Sequence, residues 1–134
     1  MIVIDSSAII AILLPEAEEP TFRHIIAQEE VLIGAPTVCE MRMVLESRLP
    51  GHAGSMMKAL ITGGGIQITS FDEAMTEAAI NAFSIYGKGF GHPAKLNFGD
   101  CLSYAVAKVY GLPLLFKGND FIHTDLVPAC GPSP

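Results

Sequence analysis

Four short apolar runs, separated by longer segments with helical periodicity, constrain the fold of this chain most strongly. The runs cover residues 2–4, 31–33, 66–69 and 113–116. The segments between them predict helices at residues 7–14, 18–28, 36–47, 52–62, 72–86 and 97–110. Short strands that alternate with helices favour a parallel sheet covered on both faces. The pattern therefore predicts an α/β fold with a central parallel sheet.

The length of the chain predicts one domain. Its 134 residues are enough to bury a core of their own, and no internal repeat or second boundary interrupts residues 1–134. The segment after about residue 127 is rich in Pro and Gly, and we expect a partly ordered tail there. A single domain followed by a short tail is the predicted organisation.

Targeting signals are not evident in the sequence. No apolar run approaches the roughly 20 residues that a membrane span needs, so no membrane association is predicted. The first residues lack the basic segment and cleavage site of a secretory peptide. Three cysteines without a Cys-x-x-Cys pair argue against a disulfide framework or a zinc site. Together these features predict a cytoplasmic protein.

The charge of the chain limits how it can meet nucleic acid. Its net charge is −6, and it has only eight Lys and Arg residues. Broad electrostatic binding of nucleic acid requires many cationic side chains, so this class is disfavoured. An enzyme that meets phosphate through a metal ion is still allowed, because a bound divalent cation reverses the local charge.

Three carboxylates follow predicted strands, and a fourth begins the helix that leads into the last strand. Asp5 and Asp120 come directly after strands, Glu40 follows a strand by one short loop, and Asp100 begins the helix before the last strand. The carboxyl ends of parallel strands meet at one edge of a sheet, where sites commonly form. Buried ionised carboxylates are costly unless they are paired or bound to a metal. The four acids therefore suggest one shared divalent cation site.

Each acid also has a structural interpretation. These are capping boxes at Thr37/Glu40 and Asn97/Asp100, a helix cap at Asp5 and a turn at Asp120. The segment from Ser70 to Glu73 also fits a capping box, although we assign it no chemistry. Capping alone therefore cannot identify the site. The joint placement of four acids at one predicted edge favours a functional role.

The sequence around these acids resembles that of PIN-domain ribonucleases, most closely the VapC toxins of bacterial toxin–antitoxin pairs. The resemblance spans nearly the whole chain, with matching order and spacing. It rests on Ile2-Val3-Ile4-Asp5-Ser6-Ser7-Ala8, on Glu40 in an apolar helix, and on the segments 97–105 and 114–125. It implies a PIN-like three-layer α/β/α sandwich with a parallel sheet of four to five strands.

The resemblance also implies a reaction. Related enzymes hydrolyse RNA phosphodiester bonds with a water activated by Mg²⁺ or Mn²⁺, and oxygen-only ligands suit these ions. Asp5 and Asp100 would bind the metal, with Glu40 and Asp120 acting directly or through water. Ser6 would support the first acid, and Asn119 is an alternative to Asp120 as the fourth site residue. Asp125 also matches a family position, and we expect it to be structural.

Two protein partners are implied as well. The first is a small cognate antitoxin of the VapB kind, whose tail packs on an apolar groove and places an Arg against the acids. The second is another copy of the chain, since half of the residues are hydrophobic. For the homodimer, we expect contacts from helices 36–47 and 52–62, with Met41, Met56 and Met57 as adaptable side chains.

Two other functions compete with a ribonuclease. A non-catalytic PIN-like scaffold would work by binding, but all four acidic positions are filled in this sequence. A phospho-receiver domain is suggested by Asp5 and Lys117, yet no convincing phospho-acceptor follows the predicted third strand. Cys101 has no evident base partner and is interpreted as a buried thiol rather than a nucleophile. A metal-dependent ribonuclease is the function that the sequence favours.

Overall fold

The computed structural model describes residues 1–131, which form four strands and six α-helices. Each predicted element is present, with boundaries within one residue of those expected. The elements are β1 (Ile2–Ile4), α1 (Ser6–Leu13), α2 (Glu19–Gln28), β2 (Val31–Gly34), α3 (Ala35–Arg48), α4 (Ala53–Gly63), β3 (Ile66–Thr69), α5 (Glu73–Tyr86), α6 (Phe98–Tyr110) and β4 (Leu114–Leu115). A short 3₁₀ helix at Phe121–His123 follows β4. None of these helices is long and apolar enough to cross a membrane.

The strands form one parallel sheet in the order β3-β2-β1-β4. The chain moves outward from β1 through β2 to β3, and then returns to pair β4 with the free side of β1. The direction of winding therefore reverses between β1 and β4. In open parallel sheets, such a reversal creates a crevice beyond the carboxyl ends of the strands, where ligands bind. Asp5, which directly follows β1, lies at this point.

Side chains that alternate along the strands divide the core into two layers. Ile2 and Ile4 of β1 pack with buried residues of helices α1 to α4. Val3, which lies between them, packs with α5 and α6 on the other face of the sheet. Strands buried on both faces explain why the strand sequences are almost entirely apolar. The predicted three-layer α/β/α sandwich is confirmed.

The segment that follows residue 126 pairs with the edge of the sheet. Leu114 N donates to the carbonyl of Val127 at 2.9 Å, and Ala129 N donates to the carbonyl of Leu114 at 2.8 Å. Ala129 and Cys130 also pack against the core. Pro128 is compatible with this pairing because an edge strand tolerates a residue without an N–H. We expected a partly ordered tail after about residue 127, and the last residues of that tail, 132–134, lie outside the described residues.

Two of the three methionines expected at a dimer contact are core residues. Met41 and Met57 are buried on the inner faces of α3 and α4, and Met56 is half-buried against the same core. The expected contact through Met41 and Met57 is therefore wrong. Apolar residues lie on both faces of α3, and the solvent face carries Met43, which is 68% exposed. Sequence periodicity could not decide which of these residues faces the core.

Candidate functional site

Asp5 is the most deeply buried acid of the predicted site, with only 2% of its surface exposed. It is the N-cap of α1, and its Oδ2 accepts hydrogen bonds from Ser7 N at 3.0 Å and Ser7 Oγ at 2.6 Å. Its other oxygen, Oδ1, is buried without a hydrogen-bond partner. An unpartnered oxygen on a buried carboxylate is costly unless a cation or a proton donor satisfies it.

Ser7 holds Asp5 in place and joins two strand ends. Its Oγ donates to Asp5 and accepts a hydrogen bond from Lys117 N, which follows β4, at 3.0 Å. The supporting role predicted for Ser6 therefore belongs to Ser7 in this structure. An N-cap side chain bonds the second or third residue of its helix, and Ser7 is the second residue of α1.

Asp100 lies in the first turn of α6, which begins with a complete capping box. Asn97 Oδ1 accepts a hydrogen bond from Asp100 N at 2.8 Å, and Asp100 Oδ2 accepts one from Asn97 N at 3.0 Å. The predicted capping box is confirmed at this helix. Its presence does not exclude a role in catalysis, because Asp100 has a second oxygen.

The pKa of Asp100 depends on burial and on the charges of the other three acids. Burial raises the pKa of Asp100 to about 6, against the effect of its hydrogen bond from Asn97. The negative charges of Asp5, Asp120 and Glu40 contribute to this rise of the pKa, each less than burial does. A carboxylate that responds to all three other acids must share their surroundings. The other three acids therefore lie within electrostatic reach of Asp100, and their joint metal site stays a prediction.

Glu40 reaches this site from the second turn of α3. Burial raises its pKa above the usual value, and the charge of Asp5 adds to the effect. Its carboxylate lies directly against Gly99 of α6, where an added Cβ would be 2.8 Å from Glu40 Oε1 and closer still to Oε2. Close packing of α3 against the first turn of α6 therefore places Glu40 beside Asp100.

The capping box predicted at Thr37 and Glu40 is wrong. Helix α3 begins at Ala35, with Gly34 as its N-cap and Pro36 in its first turn, so Thr37 lies inside the helix. Proline is well suited to the first turn because its missing N–H would have no partner there. Glu40 therefore has no capping role at the start of α3, and its carboxylate is available for the site.

Asp120 completes the set from the segment after β4. It is exposed, it precedes the 3₁₀ helix, and its side chain makes no capping hydrogen bond there. The neighbouring Asn119 is exposed as well. The charge of Asp120 acts on Asp100, which gives Asp120 a link to the other acids. Asn119 stays a prediction as the alternative fourth residue.

The donor set fits a hard divalent cation. All four side chains offer oxygen, which Mg²⁺ and Mn²⁺ prefer, and Asp5 Oδ1 has no other partner. Among residues 1–131, however, no three His, Cys, Asp or Glu side chains converge to coordinating distances. Mutual repulsion opposes the close approach of four negative charges. The oxygen donors of the four acids therefore suit Mg²⁺ or Mn²⁺, but within the described residues their side chains are farther apart than the ligands of one bound ion.

Other polar residues near the site have structural roles. Burial and the charge of Asp100 raise the pKa of the Cys101 thiol to about 11, so this residue is a poor nucleophile. Lys117 Nζ lies 3.3 Å from Glu16 and 3.1 Å from Glu18, and it serves as their counter-ion. The strand β3 ends at Thr69 without a carboxylate, which argues against a phospho-receiver.

The expected structural role of Asp125 agrees with its contacts. Its carboxylate accepts hydrogen bonds from Tyr104 Oη and Lys108 Nζ, both at 2.6 Å. These bonds fasten the segment after β4 to the middle and end of α6. They also account for the lowered pKa of Asp125, against the opposing effect of its partial burial. Asp125 therefore holds the scaffold that carries Asp120.

Comparison with known proteins agrees with this arrangement. Residues 2–126 match the PIN domain family. Ribonuclease VapC42 of Mycobacterium tuberculosis is 37% identical over 129 residues, which cover 96% of this chain and 98% of that protein. Ribonuclease VapC28 of the same species is 39% identical over 123 residues, covering 91% of this chain and 92% of VapC28.

A solved structure shows the same fold. The crystal structure of Mycobacterium tuberculosis VapC20, described as a toxin that cleaves the sarcin–ricin loop, superposes with a TM-score of 0.76 at 18% identity. The match covers 95% of this chain and 97% of that one. The match to the family over nearly the whole chain agrees with the relatives above 30% identity. The chain therefore belongs to the PIN-domain family, in the group of the VapC proteins.

Proposed function

We propose that this protein is a Mg²⁺- or Mn²⁺-dependent endoribonuclease and the toxin of a VapBC-type pair. It hydrolyses RNA phosphodiester bonds with a metal-activated water. The observation that supports this proposal best is the buried Asp5 Oδ1, which has no hydrogen-bond partner among the described residues, together with the charges of Asp5, Asp120 and Glu40 that act on the pKa of Asp100. The VapC relatives are named ribonucleases, which supports RNA as the substrate.

Each acid has a proposed task. Asp5 and Asp100 bind the metal, and Glu40 and Asp120 contribute directly or through water. Ser7 and Asn97 orient the two principal carboxylates through hydrogen bonds, as groups behind metal ligands commonly do. The ion supplies positive charge to the phosphate and lowers the pKa of a bound water. A non-catalytic scaffold would not require a buried acid with an unsatisfied oxygen, and we therefore favour the enzyme.

The first test is metal-dependent cleavage of RNA. We expect the purified protein to cut single-stranded RNA in Mg²⁺ or Mn²⁺, and we expect excess EDTA or Asp5→Asn to abolish the cutting. Asp5→Asn keeps an oxygen that can accept from Ser7, so the fold should persist. Asp72→Asn is a matched control, because Asp72 caps α5 by accepting from Met75 N at 2.9 Å and has no role in the site.

Gel analysis of a labelled RNA measures the cleavage. Activity that survives in EDTA would contradict metal dependence. Activity that Asp5→Asn and Asp72→Asn retain equally would contradict the assignment of the site to these acids.

We also propose a small cognate antitoxin whose tail lies over the acidic site. Four carboxylates attract a positive side chain, and an Arg guanidinium pairs bidentately with carboxylate oxygens. An Arg against Asp5, Glu40 or Asp100 would neutralise the charges that the metal otherwise neutralises. Apolar contacts of the tail should supply most of the affinity.

Growth and competition experiments test this partner. Expression of the protein without the antitoxin should arrest growth, and Asp5→Asn should be harmless at equal protein levels. Binding of the antitoxin tail, measured by calorimetry, should weaken as Mg²⁺ rises because both compete for the same acids. A tail with the same affinity at every Mg²⁺ concentration would rule out the competition.

We further propose that the protein is a cytoplasmic homodimer. Several large apolar side chains stay exposed on the described surface, including Ile80, Ile85 and Met43. Such surfaces often mark contacts between proteins. Light scattering should give the mass of a dimer at tens of micromolar, and a monomer at that concentration would contradict this proposal. The cysteines Cys39, Cys101 and Cys130 are free, as is usual in a reducing compartment.

A further inference from the structure

Lys117 connects the most buried acid of the site to the turn between α1 and α2. Its backbone N–H donates to Ser7 Oγ at 3.0 Å, and Ser7 Oγ in turn donates to Asp5 Oδ2 at 2.6 Å. A serine hydroxyl has only one proton to donate. Because the Ser7 hydroxyl accepts from Lys117, its own proton is directed to Asp5. The backbone of Lys117 therefore lies one hydrogen bond behind a carboxylate that we assign to the metal.

The side chain of Lys117 binds the turn itself. Its Nζ lies 3.3 Å from Glu16 Oε1 and 3.1 Å from Glu18 Oε2. Glu18 Oε2 is buried and accepts no well-aligned hydrogen bond from the described residues, so the ammonium of Lys117 supplies the opposite charge that its burial requires. The turn is also held by a bond from Glu16 N to the carbonyl of Ala11 at 2.8 Å. Lys117 thus fastens the segment after β4 to the α1–α2 turn.

The same segment carries Asp120. Gly118 follows Lys117 with a φ of 100°, a backbone conformation that glycine adopts without strain. Phe121 comes directly after Asp120 and is a core residue, with only 3% of its surface exposed. The residues that carry Asp120 are therefore held at two points, by the ion pairs of Lys117 and by the buried ring of Phe121. Loss of the first point would release both Asp120 and the N–H that bonds Ser7.

We propose that Lys117 is a positioning residue for the metal site, which acts through Ser7 on Asp5 and along the chain on Asp120. Its ion pairs with the two glutamates of the turn fix its backbone, and its backbone fixes the Ser7 hydroxyl. Groups behind metal ligands commonly orient the ligands, and their loss lowers metal affinity about 10- to 100-fold. This inference rests on the proposed metal-dependent function and adds to it a residue that binds neither metal nor RNA.

Positioning and simple charge predict opposite effects of Lys117 on metal binding. Lys117→Met removes a positive charge from the segment that carries Asp120, so charge alone would strengthen the binding of Mg²⁺. Replacing Glu16 and Glu18 by Ala removes two negative charges, so charge alone would weaken it. If the ion pairs position the site, both changes break the same contact and both weaken Mg²⁺ binding. Weaker binding by Lys117→Met therefore cannot arise from charge.

Titration of the RNA-free full chain with Mg²⁺, followed by NMR, measures this effect without cleavage. We expect Lys117→Met and the variant Glu16→Ala/Glu18→Ala each to bind Mg²⁺ about 10-fold more weakly than the wild type. The triple variant should bind no more weakly than the glutamate variant, because its three changes break one contact. Partly exposed ion pairs add little to stability, so the metal-free variants should melt close to the wild-type temperature.

Arg23→Met is the matched control. Arg23 Nε pairs with Glu19 Oε1 at 2.6 Å, but both residues belong to α2, so this ion pair joins no second segment. Arg23→Met also replaces an ion-paired cation by an uncharged side chain. It should leave Mg²⁺ affinity unchanged.

Hydrogen exchange at the amide of residue 117 gives a second readout that needs no metal. In the wild type this N–H is bonded to Ser7 Oγ. We expect its protection to fall in Lys117→Met and in the glutamate variant, towards the value in Ser7→Ala, which lacks the acceptor. Arg23→Met should keep the wild-type protection.

The outcomes separate the positioning role from the function on which it rests. Unchanged or tighter Mg²⁺ binding by Lys117→Met overturns the inference. If cleavage at saturating Mg²⁺ shows a raised KM for RNA in Lys117→Met but not in the glutamate variant, Lys117 contacts RNA and the inference is wrong. If the wild-type protein binds no Mg²⁺, the proposed function fails. Amide exchange then decides the role of Lys117, and equal protection of residue 117 in Lys117→Met and the wild type overturns it.

Discussion

Asp100→Asn should abolish RNA cleavage and leave the free energy of unfolding at neutral pH unchanged or higher. Burial and the charges of Asp5, Asp120 and Glu40 make the ionised Asp100 costly, as its pKa of about 6 shows. Asparagine removes that charge and keeps an oxygen that can accept from Asn97 N, so the capping box survives. After allowance for partial exposure, we expect a gain of about 1 kcal/mol.

The effect should depend on pH in a defined direction. The folded pKa of Asp100, about 6, lies above the 3.8 that is usual for an aspartate side chain. The stability that this group contributes is therefore fully present below the lower value and is lost as pH rises through the upper one. The advantage of Asp100→Asn over wild type should grow between these two values and stay constant above them.

Chemical denaturation at several pH values measures this difference. Asp72→Asn is the matched control, because the carboxylate of Asp72 also accepts a backbone hydrogen bond at the start of a helix, from Met75 N, and has no role in the site. We expect Asp72→Asn to change stability little at any pH, since Asn caps helices as well as Asp does. Added Mg²⁺ should raise the melting temperature of wild type and of Asp72→Asn, but should affect Asp100→Asn much less. Persistent cleavage by Asp100→Asn would contradict the proposed role, and a loss of stability at neutral pH would contradict the electrostatic argument.

The secondary structure was predictable because each element has its own local signal. Buried strands such as Ile2–Ile4 are continuous apolar runs, and most of the helices end beside a Gly or Pro residue, as α6 does at Gly111. The expected position of the four acids at one edge also came from the parallel sheet, since its strand ends share one edge. These predictions needed only the period of the hydrophobic pattern and the direction of the strands.

The finer details of the site were not accessible from the sequence. Ser6 and Ser7 are chemically identical, and only the cap geometry of Asp5 selects Ser7. No capping box forms at Thr37 because helix α3 already begins at Ala35, where Pro36 in the first turn favours the helix start. Met41 was misplaced because α3 has apolar residues on both faces, and Met57 was misplaced beside Met56, a neighbour of the same type that is only half-buried. Each error concerns a choice between similar neighbours that tertiary packing decides.

Gly99 is the residue that sequence reasoning overlooked and that the packing makes essential. It lies between Phe98 and Asp100, and only a hydrogen atom separates its Cα from the carboxylate of Glu40. A Cβ at this position would be 2.8 Å from Glu40 Oε1, closer than real Cβ contacts allow. Glu40 would have to turn away, and a change of about 1 Å in a catalytic group can reduce the rate about 100-fold.

Gly99→Ala should therefore lower kcat/KM for RNA about 100-fold without destabilising the fold. The clash involves the end of a flexible side chain, and Ala favours a helix over Gly by up to about 1 kcal/mol. Gly63→Ala is the matched control, because Gly63 is also helical and an added Cβ would meet nothing within 4 Å. Steady-state cleavage kinetics and thermal melting of both variants make the comparison.

The two readouts distinguish a displaced carboxylate from a damaged fold. If Glu40 is displaced, Gly99→Ala melts at or above the wild-type temperature while its cleavage is slow, and Gly63→Ala cleaves normally. A melting temperature that falls together with activity would show that the helices α3 and α6 separate instead. Normal cleavage by Gly99→Ala would mean that Glu40 reaches its working position by another route, and the contact with Gly99 would then have no part in catalysis.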